Sequence, residues 1–151
     1  MLKFKNKEDQ MLFSLLNPIL IMIYADLYTY AKENYQIELT ITDTVSTPEK
    51  DKKLGRVSSS HQEGRALDVR TRDIDVFIVN DLVNYINYKW AYQKYRYMSK
   101  EGNMRLAYLH IGTASHIHLA IHSKYKVNNI QKQVADLVRS ELRADLLHWK
   151  F

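Results

Sequence analysis

Two short stretches carry side chains able to bind a metal ion. In SSSHQEGRALDVR, residues 58–70, His61 and Asp68 stand seven residues apart with Gly64 and Ala66 between them. Further along, SHIHLAI, residues 115–121, spaces His116 and His118 at the period of a β-strand, so both imidazoles share one face. Ile117, Leu119 and Ile121 take the opposite face and can join a core. The chain has no cysteine, so any metal must be held by histidine and carboxylate. A catalytic zinc site requires three such ligands and an open fourth position. His61, Asp68 and one of the two strand histidines would supply them. The chemistry of such a site is acidification of a water to a pKa of about 7 and polarisation of a carbonyl.

These residues need elements to position them. Apolar residues at helical spacing run from about Glu8 to Glu33, through Leu12, Leu15, Leu16, Ile19, Leu20, Ile23 and Leu27. Pro18 divides that pattern into a short lead-in and a longer helix beginning near Asn17. QIELTITDT, residues 36–44, alternates as a half-buried strand, and STPEKDKKLGR, with Pro48 and Gly55, reads as a loop. ALDVR is a short strand, and residues 73–97 follow as a helix with Val76, Val79, Leu82, Val83 and Ile86 on one side. KEGN is a turn; MRLAYLHI and SHIHLAIH then form a hairpin joined through Gly112 and Thr113. A last amphipathic helix spans about residues 128–149. Strands and helices are segregated, so the expected class is α+β, with a small antiparallel sheet carrying the metal site and packed against helices. Between the two candidate ligands, Gly64 permits a tight turn that aims both at one ion, and Ala66 leaves room beside Asp68.

At 151 residues, 46% apolar and 26% charged, the chain is expected to be one soluble domain. Its net charge of +5 favours anionic partners such as a cell wall. MLKFKNKEDQ is not a signal peptide, and LLNPILIMIY is too short and interrupted to span a bilayer. Synthesis in the cytoplasm is therefore expected, with any action outside the cell requiring a separate means of release. Residues 85–100 interleave Tyr and Trp with Lys and Arg, a pattern that can bind single-stranded nucleic acid. On a helix, Ile86, Trp90 and Tyr97 instead read as core or boundary residues with lysines directed outward, so nucleic acid is not the expected partner.

Ser59, His61, Gly64, Ala66 and Asp68 form S-x-H-x-x-G-x-A-x-D. This resembles the signature of the D-Ala-D-Ala metallopeptidases and of related phage L-alanyl-D-glutamate endolysins. SHIHLAI is similar to the H-x-H strand of the superfamily that joins them to lysostaphin-type peptidases and the Sonic hedgehog signalling domain. The order of elements agrees over about residues 12–122, leaving the final helix unassigned. The resemblance implies zinc held by His61, Asp68 and His118, with His116 beside the reacting water as base or transition-state stabiliser. It implies hydrolysis of peptidoglycan stem peptides, as a D-Ala-D-Ala carboxypeptidase or an L-Ala-D-Glu endopeptidase, for instance in a phage lysin reaching the wall through a holin lesion or a virion. Two family features are replaced. The catalytic glutamate, three or six residues before the last ligand, gives way to Ser115 or Gly112, so general-base work falls to His116. The family's arginine in the loop after the first strand, which helps hold the substrate or its oxyanion, is missing from TDTVSTPEKDKK, so that role falls to Arg56 or Arg70 or is lost. An inactive structural protein of the same fold, associated with other virion proteins, is the alternative these replacements raise.

Overall fold

Pro18 opens a long helix after a short lead-in, as the division of the apolar pattern predicts. In the structure, a computed structural model that describes residues 1–90, 105–111 and 114–148, Lys7–Leu12 forms a short helix, α1. A 3-10 turn, Phe13–Leu15, leads on to α2, Pro18–Tyr35. Asn17 caps α2 by accepting from the Ile19 amide at 2.8 Å, and proline suits the first helical turn because its missing N–H would have no partner there. Gln36 closes the helix in the left-handed conformation, φ 58°.

Five strands make one sheet: β1 Lys3–Phe4, β2 Thr40–Asp43, β3 Ala66–Arg70, β4 Ala107–His110 and β5 His116–Ala120. Their spatial order is β1-β2-β3-β5-β4. The β2–β3, β3–β5 and β4–β5 pairs are antiparallel, and β1 pairs in parallel with β2, so the sheet is mixed within an α+β fold. Helices α3 (Pro48–Lys53), α4 (Val76–Lys89) and α5 (Ile130–His148) complete the architecture. The expected loop over residues 46–56 therefore contains a helix. Thr47 caps it by accepting from the Lys50 amide, Pro48 occupies its first turn, and Glu49 and Asp51 place negative charge where helical N–H groups converge. The continuation of α4 through Tyr97, the KEGN turn, the Gly112–Thr113 link and Trp149 lie outside the described residues.

The sheet divides apolar from polar by strand alternation. Leu67, Val69, Ile117, Leu119 and Ile121 are fully buried, facing α2 through Leu20, Ile23 and Leu27 and α4 through Val79, Leu82 and Ile86. Each such side chain contributes about 2 kcal/mol by leaving water. That face anchors the strands, which frees the other face for polar groups. The aromatic side chains at the end of α4 serve the helix pair: Tyr85 stacks on Tyr30 at 3.6 Å between centroids, and Trp90 donates to Asp26 at 3.2 Å.

The core reaches past residues 12–122 at both ends. Ile130 and Val134 of α5 are buried in it, and Asp9 of α1 is only 1% exposed. Asp9 Oδ2 has no hydrogen-bond partner among the described residues, and burial together with the nearby Asp43 carboxylate pushes its pKa up to about 6. A carboxyl held above its unfolded value binds its proton more tightly in the folded state. The ionisation penalty is thus complete above pH 6 and absent below about pH 4. Asp9→Asn is expected to raise the melting temperature at pH 7.5, with the gain fading to nothing by pH 4 in thermal melts.

Candidate metal centre

Register brings the candidate ligands together. On β3 and β5, Asp68 lies opposite His118 and Arg70 opposite His116, while β4 sets Tyr108 against His118 and His110 against His116. One strand face thus carries Asp68, His116 and His118, as the alternation in SHIHLAI predicts. His61 arrives from the loop before β3. There Gly64 takes φ +66°, and a Cβ on it would collide with Ile130 Cδ1 and meet the Leu15 carbonyl oxygen at 3.3 Å. The glycine between the ligands therefore answers to both a left-handed turn and a close approach. Gly64→Ala is expected to cost about 2 kcal/mol or more in urea unfolding.

The loop is also fastened from the far end of the chain. Gln131 Nε2 of α5 donates to the Ser46 and Gln62 carbonyls at 2.9 and 2.8 Å, and the Val127 amide donates to the Glu63 carbonyl at 2.9 Å. Glu63 turns to Arg65, whose Nη1 donates to the Ile121 carbonyl at 3.0 Å, so neither serves the metal face.

Three imidazoles converge on one carboxylate oxygen. Asp68 Oδ1 lies 2.8 Å from His118 Nδ1, 3.3 Å from His61 Nε2 and 3.6 Å from His116 Nε2. His61, Asp68 and His118 are all buried, and together their donor atoms form a group that could hold a metal ion. Donors on a tetrahedron of radius about 2.1 Å stand roughly 3.4 Å apart, a spacing that the 3.3 Å between Asp68 Oδ1 and His61 Nε2 matches, while the 2.8 Å to His118 Nδ1 is a hydrogen-bond distance. Hydrogen bonding decides which nitrogens face it. His61 Nδ1 is 2.7 Å from the Thr44 carbonyl oxygen, which can only accept, so Nδ1 carries the proton and Nε2 is left to ligate. Neutral His61 Nε2 and Asp68 Oδ1 are then two acceptors facing each other. Only a cation between them, a proton or a metal, makes that arrangement favourable. His116 is placed likewise, its Nδ1 donating to the Ala114 carbonyl at 3.0 Å and its Nε2 turned toward the group.

Burial alone would raise the Asp68 carboxyl. With a proton as the bridging cation, the positive charge of the His61 imidazole and the hydrogen bond from His118 outweigh it and hold the group well below the usual carboxylate range. Its second oxygen meets Arg56 at 3.4 Å. That guanidinium also pairs with Asp43 and, at 3.1 Å, with Asp51, which Ser46 and Gln62 hold in turn. Arg56 rather than Arg65, Arg70 or Arg72 is thus the cationic neighbour of Asp68. Asp43 reaches this cluster because the β2–β3 register slips between Ile41 and Asp43, a bulge that turns its carboxylate onto the metal face.

The group forms the floor of an open pocket of about 410 Å³ lined also by Arg56, Tyr108, His110 and His116. His110 ends β4 with its ring 4.9 Å from that of His116. His122 does not share the face of His116 and His118, because β5 stops at Ala120; instead it accepts from the Lys124 amide and caps a 3-10 turn. The Thr44 carbonyl, Asp43, Asp51, Tyr108 and Gln131 carry no local sequence signal for this role, since each acts across the fold. No helix among the described residues is long and apolar enough to cross a membrane. No protein-family model matches the chain, nor does any curated protein or solved structure.

Proposed function

We propose that this protein is a zinc-dependent peptidase that hydrolyses an amide bond in peptidoglycan stem peptides, of the D-Ala-D-Ala carboxypeptidase or L-Ala-D-Glu endopeptidase type. One observation carries the reading: His61 Nε2 and Asp68 Oδ1 face each other at 3.3 Å on the floor of an open pocket, with His118 Nδ1 on the same oxygen. Two imidazoles and one carboxylate favour zinc over calcium or magnesium, which prefer oxygen donors. The resemblance of S-x-H-x-x-G-x-A-x-D and H-x-H to the D-Ala-D-Ala metallopeptidases supports the same choice and suggests the substrate.

When bound, zinc supplies an acidified water and a polarised carbonyl. The proton work falls to His116. Its Nδ1–H bond to Ala114 keeps Nε2 as an acceptor, which takes a proton from the attacking water and returns it to the leaving amine. The balance is one water consumed: oxygen joins the carbonyl carbon, a proton joins nitrogen, and the C–N bond breaks. Arg56, braced by Asp43 and Asp51, adds positive charge beside the developing oxyanion. A phage or virion-associated lysin is a setting that suits a basic protein meeting an anionic wall.

The test is digestion of labelled muropeptides by zinc-loaded protein, read by mass spectrometry. Cleavage by the wild type and none by His118→Ala is the expected result; no cleavage, or equal cleavage by both, rejects the proposal. A second reading, an inactive structural or virion protein of this fold, has its own support: Asp68 is the only carboxylate among the described residues lining the pocket. That reading expects zinc binding without turnover.

A further inference from the structure

A second groove of about 520 Å³ adjoins the pocket and shares Arg56, Asp68 and His116 with it. Its cations differ in how far they are engaged. Arg56 is held by three aspartates, and Lys50 pairs with Asp43 at 3.0 Å. Arg72 lies near Asp73 at 3.5 Å, both side chains largely exposed. Arg70 is different: half-buried on β3, it has no ion pair or side-chain hydrogen bond among the described residues, although Glu8, Asp9 and Asp43 also line the groove. Strand alternation puts it on the face of Asp68, two residues or about 6.6 Å along, and register puts it opposite His116. Lys5, at the end of β1, lines the same groove and likewise carries no ion pair among the described residues.

An uncommitted guanidinium beside the reacting face suits a planar anion, since its forked N–H donors match a carboxylate. The geometry points to Arg70 as the anchor for a free carboxylate on the residue whose amine is released, with Lys5 reinforcing it from the groove wall. This rests on the peptidase reading given above and narrows its substrate. The distance from Asp68 places the carboxylate within about one residue of the bond cut. Two sources fit that chemistry: the terminal carboxylate of a D-Ala-D-Ala end, or the α-carboxylate of a γ-linked D-Glu.

The experiment measures binding to the metal-free protein by calorimetric titration, and kcat/KM of the zinc-loaded protein. The probes are acetyl-D-Ala-D-Ala and its C-terminal amide, and L-Ala-γ-D-Glu-L-Lys and its D-Glu α-amide. The expected result is that one carboxylate probe binds about tenfold or more tighter than its own amide, the pair that discriminates naming the source. Arg70→Gln should abolish that ratio, Arg70→Lys should restore part of it, and Lys5→Gln should reduce it. A carboxylate preference that survives Arg70→Gln in protein melting like the wild type overturns the assignment, as does equal binding of every acid and its amide. The peptidase reading fails separately. Carboxylate-selective binding with no cleavage leaves the anchor standing without it, whereas cleavage of acids and amides alike leaves the peptidase without this anchor.

Discussion

Asp68→Asn is expected to weaken zinc binding by more than about a hundredfold, since a first ligand should matter at least as much as the outer partners whose loss costs 10–100-fold. The substitution changes little in shape, so the effect is one of charge. Asp68 is 4% exposed, and its Oδ1 is the oxygen on which His61, His116 and His118 converge. A neutral amide there can neither balance a divalent ion nor oppose Arg56 on the other side. The metal-free variant should also melt earlier, because removing one partner from a buried ionic cluster costs about 3–5 kcal/mol. Two measurements separate these consequences. Competition against a chelator gives the affinity, and thermal melts with and without zinc give the linkage. At a free zinc concentration of a hundred times Kd, the wild type should gain about 2.7 kcal/mol, and the variant almost nothing. Wild-type affinity in Asp68→Asn would remove this carboxylate from the site.

His116→Gln should behave in the opposite way, keeping the metal and losing turnover. Its imidazole is the more distant of the two strand histidines from Asp68 Oδ1, at 3.6 Å against 2.8 Å for His118. It is also held by a backbone carbonyl in an orientation that leaves Nε2 to accept a proton. Loss of such a base lowers kcat by about 10²–10⁴. KM should move little. His118→Ala should lose zinc and turnover together. If His116→Gln sheds zinc as readily as His118→Ala, then residue 116 is a ligand and the proposed division of labour is wrong.

The features of this site that lie within a few residues of one another are legible in the sequence. SHIHLAI states its two faces outright, because buried isoleucine and leucine alternate with histidine and the sheet enforces the alternation. Gly64 announces a turn, and the left-handed φ agrees. The α3 helix was also encoded, by threonine, proline and acidic residues in capping order, although Pro48 and Gly55 together read as a loop. Long-range features left no such trace. β1 is two residues, one of them charged, and its pairing with β2 follows from packing rather than pattern. Nothing near Thr44 marks its carbonyl as the partner of His61, and nothing near Asp43 or Asp51 marks them as the brace for Arg56. A linear pattern reports spacing along a strand, not which distant carbonyl stands behind an imidazole.

The Gln131 contacts bear on how this molecule comes into being during translation. A nascent chain extruded through residue 122 already contains His61, Asp68, His116 and His118, yet lacks the amide that ties Ser46 to Gln62 and the side chains that enclose Gly64. Because domains generally fold as units during synthesis, the enclosed centre is expected to form only once residues 127–131 have cleared the ribosome. Chains that end between residues 118 and 126 carry all the candidate ligands without the enclosure around Gly64.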